Sequence, residues 1–515
     1  MSYRLFLLAS FFLCQLAFSS SIPHLCNKDE SISLVTFNKS LTIDPSASAD
    51  CDYSGQPYYG KISSWNMSRD CCSWDGVICD EITGHVVELD LNCSQLVGNI
   101  DSNSSLFQLS RLQRLNHSRN TFSNSHISPL FGRLSSLTHL DLSYTSLSGQ
   151  IPSEISHLSK LQSLHLLNYD IQLGPHNFKI LLQNLTQLRL LDLRLVNISS
   201  TIPPKFSSHL TTLRLGDTDL YGIIPERIFH LSNLKELDLS YNDHPSGYFP
   251  TTKWNSTASI EELYLSQVDF SGSFLPESIS YLTSLRYVML NSCNLSGKIP
   301  KSLWDLTRLE HLDLKDNLLE GSIPLFTSGL QNLSYLRLLN NLLNGVIPSW
   351  KFSLPSLSKL DLKDNHFCGQ LEDFSISLTN ENNVNSTLPQ SVESLGLSGC
   401  EIRELDFLRS AKQLSYLDLS NNKIQGRIPD FALSNWMNSM SNLNLSHNML
   451  TSSNQIHLLP LLDIDLQSNF LQGPLPIPPP SVQLFFMSKN SLTGEIPSSF
   501  CNLTLLGSRI RIVRN

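Results

Sequence analysis

The chain has 515 residues, 41% of them hydrophobic and only 16% charged, with a formal net charge of −9. Length alone would suggest roughly three or four globular domains, unless internal repetition overrides that expectation. A pI near 5.9 argues against a nucleic-acid or anionic-membrane partner, since both need a basic field.

Residues 1–21 read as a secretory signal: Arg4 is the positive flank, Leu5 to Phe18 the apolar run, and Ser19, Ser20 and Ser21 the small residues that follow. The run is short for a bilayer span, which takes about 20 apolar residues. Cys14 leaves with the signal. No later run of eighteen apolar residues appears, so this chain is expected to carry no membrane span. The expected location is secreted, or the extracellular face of the plasma membrane. Thirteen N-x-S/T sequons follow, at Asn38, Asn66, Asn92, Asn103, Asn116, Asn184, Asn197, Asn255, Asn294, Asn332, Asn385, Asn444 and Asn502. Behind a secretory signal, several are expected to carry glycans.

Residues 22–85 form a cysteine-bearing cap. Cys26, Cys51, Cys71, Cys72 and Cys79, with Trp65 and Trp74, suit a disulfide-bonded unit in an oxidising compartment. Zinc is the alternative reading of such a cluster. The adjacent Cys71-Cys72, the secretory context and the lack of a nearby histidine pair favour disulfides, so no metal or cofactor is expected.

Residues 86–503 repeat the template L-x-x-L-x-L-x-x-N-x-L-x-G-x-I-P about seventeen times, every 22 to 26 residues. One clear copy is Leu309, Leu312, Leu314, Asn317, Leu319, Gly321, Ile323 and Pro324. The L-x-L part alternates with period 2, so its leucines point inward and their neighbours outward, as in a strand. Stacked coils then pair these strands in parallel on a concave face, and the asparagine satisfies backbone groups of adjacent coils. No coil buries its leucines alone, so the fold class is an α/β repeat: a right-handed leucine-rich-repeat solenoid. At the asparagine position Thr145, Thr218, Cys293 and Cys400 can still bond, whereas Val196 and Val268 cannot; the two cysteines are expected to be buried thiols.

His117 stands at a core leucine position in R-L-N-H-S-R-N. It reads either as a pH switch or as a tolerated, slightly destabilising substitution, and the second reading is favoured. Three stretches break the period: Asn168 to Asn184, Asp243 to Ala258 and Glu372 to Gln390. Each is expected to leave the solenoid as a loop. Residues 504–515 are a non-repeat tail.

No catalytic constellation appears: H-E-x-x-H, G-x-S-x-G, a P-loop and a kinase signature are all missing, so the chain is read as no enzyme. The D-L-K-D runs at Asp313 to Asp316 and Asp361 to Asp364 fall in the repeat frame and read as a solvated strand face. Most coils fill their outward positions with Ser, Asp or Asn. The coils from Glu261 to Asn340 instead present Tyr264, Arg286, Tyr287, Met289, His311, Lys315, Tyr335 and Arg337. Aromatic and arginine side chains dominate binding energies, which makes this strip the candidate site for a protein or peptide ligand.

The cap-to-repeat run S-W-N-M-S-R-D-C-C-S-W-D-G-V-I-C-D-E-I-T-G-H-V-V-E-L-D-L-N-C-S-Q-L resembles the plant leucine-rich-repeat receptor-like proteins. S-N-S-S-L-F-Q-L-S, L-T-H-L-D-L-S and F-P-T-T-K-W-N-S resemble the Cf class of fungal-resistance receptors among them. The resemblance implies the plant-specific solenoid type and recognition of a pathogen-derived or endogenous ligand outside the cell. It also implies signalling through adaptor and co-receptor kinases in the full-length family, and cap pairs Cys26–Cys71, Cys72–Cys79 and Cys51–Cys93. The alternative function is a free secreted binder, such as an inhibitor of a microbial wall-degrading enzyme. Such inhibitors end in a cysteine-bearing cap, whereas these repeats run into L-T-L-L-G-S-R-I-R-I-V-R-N. A carboxy-terminally truncated receptor-like protein is therefore expected, with Leu492, Ile496 and Leu503 left open and fast hydrogen exchange from about Val482 onward.

Overall fold

The structure is a computed structural model. It describes residues 25–496 except 54, 124, 243, 248, 250–258, 271–272, 325–328, 349–353, 368–387 and 453–455. The signal segment, the tail and most of two period-breaking stretches thus lie outside the described residues, as do Leu503 and the sequons Asn255, Asn385 and Asn502. The chain divides into two compact units, residues 1–220 and 221–515.

Among the described residues the first unit begins with a helix, Lys28–Lys39, whose exposed N–H groups at Asp29 and Glu30 donate to the Asn27 side chain. Leu34 and Phe37 bury its inner face. Glu30 is also buried, and its carboxylate accepts from the Val86 amide at 2.7 Å and bonds His85 Nδ1 at 3.0 Å. The helix is thereby tied to the start of the first coil. Trp65 and Trp74 stack at 5.6 Å. Three disulfides close this cap: Cys26–Cys71, Cys51–Cys93 and Cys72–Cys79. Each contributes about 2–4 kcal/mol by restricting the unfolded chain. Peptide mapping without reduction should return these three pairs, with Cys293 and Cys400 as buried free thiols. A bridge at either of those two would overturn the assignment.

Strand Val77–Cys79 of the cap pairs antiparallel with Val86–Asp90. The parallel sheet therefore begins under a covered edge rather than an open one. Five more strands follow in parallel register: Arg114–Asn116, His139–Asp141, Ser163–His165, Leu190–Asp192 and Thr212–Arg214. The period break at Asn168 to Asn184 is not a loop. Residues Pro175–Asn184 form a helix with Phe178, Leu181 and Leu182 buried. The extra residues carry apolar groups at helical spacing, so they join the core opposite the sheet instead of leaving it.

The second unit continues the same motif through eleven parallel strands among the described residues, from Glu236–Asp238 to Leu484–Phe486. The central residue of each strand is buried, as with Leu263, Val288, Leu312 and Leu336. A second parallel sheet forms beyond the asparagine turn, through Ser296–Lys298, Leu318–Ser322, Leu342–Gly345 and His366–Phe367. It is built by the L-x-G-x-I-P half of the template. Gly297 within it has φ +73°, and a Cβ there would lie 2.2 Å from the Phe274 ring. Only glycine fits that position.

The asparagine ladder does what its chemistry predicts. Asn317 is buried; its Oδ1 accepts from the Cys293 and Leu295 amides, and its Nδ2 donates to the carbonyls of Leu290, Leu314 and Lys315. Where the ladder residue is replaced, fewer bonds survive. Thr145 and Thr218 donate to Leu142 and Leu215 carbonyls, and Cys293 Sγ donates to Leu265. In the last described coil Val482, Phe485 and Met487 are buried, while Ile496 is exposed.

Candidate ligand-binding face

On each parallel strand the residues flanking the buried centre stand on the outer face of the sheet, and successive strands lie about 4.8 Å apart. In the second unit the first of these positions runs Glu262, Tyr287, His311, Tyr335, Lys359 in register. The second runs Tyr264, Met289, Asp313, Arg337, Asp361. Strand pairing thus brings together side chains about 24 residues apart in sequence.

Three rings form a stack. Tyr287 and His311 lie 4.6 Å apart at 19°, and His311 and Tyr335 5.5 Å apart at 25°. Cations close both ends, with Arg286 5.4 Å from the Tyr287 ring, Arg337 5.1 Å from the Tyr335 ring and Lys359 5.9 Å from it. Such contacts contribute about 0.5–1 kcal/mol each at exposed sites and hold the groups in a fixed row.

The guanidiniums are anchored as well. Arg286 makes a two-pronged ion pair with Glu310, at 2.7 and 3.0 Å, and Arg337 pairs with Asp313 at 3.5 Å. Burial lowers the pKa of His311; Glu310 opposes this, while Arg286 and Lys359 add to it. Burial, with Glu310, raises that of Tyr287. The stack is therefore uncharged near neutral pH and flanked by fixed charges. The Nδ1 of His311 has no hydrogen-bond partner among the described residues.

Not every residue of the expected strip joins this cluster. Tyr264 lies beside Met289 and donates to Glu262 at 2.9 Å, and burial and that bond raise its pKa. Lys315 sits past its strand and pairs with Asp316. Lys359 and Glu310 belong to the cluster and were missed, although Lys359 occupies the same template position as Tyr335 one coil later. A second network went unforeseen. Gly396 lies between Asp361 and Asp418 in register, and across that gap Lys363 Nζ reaches Tyr416 at 3.0 Å and Asp418 at 3.3 Å.

The D-L-K-D runs are solvated only in part: Asp364 is exposed and Lys315, Asp316 and Lys363 are half-buried, whereas the leading aspartates turn inward. Asp313 is 4% exposed and Asp361 half-buried, and burial raises the pKa of both. The Oδ1 of each accepts the amide two residues on, so these carboxylates are turn-forming groups of the coil. Among the other sequons, Asn66, Asn103, Asn184, Asn197, Asn294 and Asn332 are exposed, and Asn38, Asn92, Asn116 and Asn444 are half-buried.

Comparison with known proteins places the chain among repeat proteins of this architecture. Residues 27–80 match the leucine rich repeat N-terminal domain, and residues 136–158, 284–306, 413–434 and 481–503 match the leucine rich repeat. Receptor-like protein Cf-9 of Solanum pimpinellifolium is 54% identical over 286 residues, which is 54% of this chain and 33% of that protein. Receptor-like protein 7 of Arabidopsis thaliana is 37% identical over 98% of this chain and 60% of its own length. The chain thus spans about a third to three fifths of these relatives. Among solved structures, PEPR1-AtPEP1 shares the fold with a TM-score of 0.63 at 24% identity, covering 95% of this chain and 76% of that one. The plant peptide hormone receptor RGFR1 in complex with RGF2 gives 0.54 at 25% identity, covering 84% and 82%.

Proposed function

The chain belongs to the plant leucine-rich-repeat receptor-like proteins of the Cf type, and from that premise we propose that it is the extracellular ligand-recognition module of a cell-surface immune receptor-like protein. One observation carries the reading: the Tyr287–His311–Tyr335 stack, held by Arg286, Arg337 and Lys359 on the sheet face of the second unit. A rigid row of aromatic edges with guanidiniums at its ends offers large contact area at little cost in side-chain ordering. The ligand is a protein or peptide, pathogen-derived or endogenous. The solved peptide complex of RGFR1 supports a peptide. Adaptor and co-receptor kinases are the proposed signalling partners of the full-length form. Among the described residues no helix is long and apolar enough to cross a membrane.

The test is selection of displayed peptides on the immobilised wild-type protein, then measurement of the winners on a Tyr287→Ala, Arg337→Ala double variant. Removing two central anchors should weaken binding at least tenfold, since each hot-spot truncation costs about 1–2 kcal/mol or more, while the melting curve stays in place. Winners that bind both proteins equally would show that the stack is not the recognition site.

A further inference from the structure

The row that carries the aromatic stack ends in opposite charges. In register across five successive strands it runs Glu262, Tyr287, His311, Tyr335, Lys359. Three rings thus separate a carboxylate from an ammonium. Four strand spacings of about 4.8 Å put the two charges roughly 19 Å apart.

Neither end charge has an ion-pair partner among the described residues. Glu262 accepts only from the Tyr264 hydroxyl, at 2.9 Å. Arg286, the cation over the Tyr287 ring, is committed to Glu310 by two hydrogen bonds. At the other end Lys359 is exposed, and its ammonium meets the Tyr335 ring at 5.9 Å. The carboxylates of the neighbouring positions are taken: Arg337 pairs with Asp313 at 3.5 Å, and Lys363 lies 4.0 Å from Asp361. The rings between the ends are held by stacking and carry no charge of their own near neutral pH. The row is therefore polar from end to end, negative at Glu262 and positive at Lys359.

We propose that the ligand is an extended peptide laid along this row, with a cationic group at Glu262 and a carboxylate at Lys359. At about 3.3 Å per extended residue the two groups stand about six residues apart. The stack offers contact area to a chain running either way. The end charges select one direction, because a peptide laid in reverse brings like charges together at both ends. Glu262 and Lys359 are thus specificity residues, and the rings between them supply the adhesion. The inference rests on the recognition reading above and deepens it.

The test uses displayed peptides selected on the immobilised wild-type protein. Winners are expected to carry a basic group and a carboxylate about six residues apart, in one fixed order. Each winner is synthesised beside a twin in which its acidic and basic residues are exchanged, and blocking the chain ends tells side-chain charges from terminal ones. Wild type should prefer winner over twin at least tenfold, and Glu262→Lys with Lys359→Glu should reverse that preference. Should this variant not fold, Glu262→Gln and Lys359→Gln, which remove one charge each at nearly constant bulk, should each cut the preference at least threefold. Winners without such a pair of charges would overturn the inference alone. So would a preference that survives the charge changes while Tyr287→Ala with Arg337→Ala abolishes binding. Winners that bind the alanine variant as well as wild type would overturn the recognition reading together with it.

Discussion

Replacing His117 with leucine is expected to stabilise the cap and first coils by about 1–3 kcal/mol at pH 7, the usual cost of a buried polar group without a partner. The ring is fully buried between Phe37 of the cap helix and Phe122 of its own coil, at 5.6 and 5.8 Å, and neither nitrogen has a hydrogen-bond partner among the described residues. Burial lowers its pKa from 6.5 to about 3. The folded state therefore binds fewer protons than the unfolded chain, where histidine titrates near 6.5. Stability is fully present above that value and is lost as pH falls from there toward about 3. Between pH 7 and pH 5 the wild type should lose about 2 kcal/mol from this group, and the leucine variant none of it. Urea unfolding of both proteins at the two pH values checks this. A leucine variant less stable than wild type at pH 7, or with the same pH slope, would mean that the ring contacts outweigh the missing hydrogen bonds.

Asn422→Leu is expected to do the opposite to the second unit, at a cost of about 3 kcal/mol or more, because several buried backbone groups lose their partner at once. Its Oδ1 accepts from the Cys400 and Ile402 amides, at 3.0 and 2.9 Å. Its Nδ2 donates to the carbonyls of Leu397, Leu419 and Ser420. Leucine has similar bulk, so the loss is of hydrogen bonds rather than of packing. In a solenoid each coil contacts only its neighbours, so the damage should read out locally. Hydrogen exchange should accelerate at Cys400 and Ile402 while the coils around Leu312 stay protected. Unchanged exchange at those two amides would show that the ladder bonds contribute little. Natural valines at Val196 and Val268 show that a coil survives without this group. Among the described residues their amides keep only the turn bonds to the Leu193 and Leu265 carbonyls, at 3.1 Å.

The solenoid, its parallel sheet and the role of each template position were legible in the sequence, because the information is local and repeated. Period-2 leucines, a bonding residue at the turn and Gly-x-Ile-Pro on the return path recur within one coil, and stacking follows from the need to bury them. The aromatic strip was legible for the same reason: a fixed coil length converts template position into a row on the sheet, and Tyr287, His311 and Tyr335 share one position. What the sequence could not supply was how side chains meet across coils. Whether Arg286 meets Glu310, whether Lys363 crosses the gap at Gly396, and whether Asp313 is wet or dry depend on strands about 4.8 Å apart and on their neighbours' bulk. The helix at Pro175–Asn184 was decided at that level too, since its Phe178, Leu181 and Leu182 pay off as a helix only when a solenoid flank is there to receive them. The repeat was a property of each coil read alone; the candidate site belongs to the register between coils, which exists only once they have stacked.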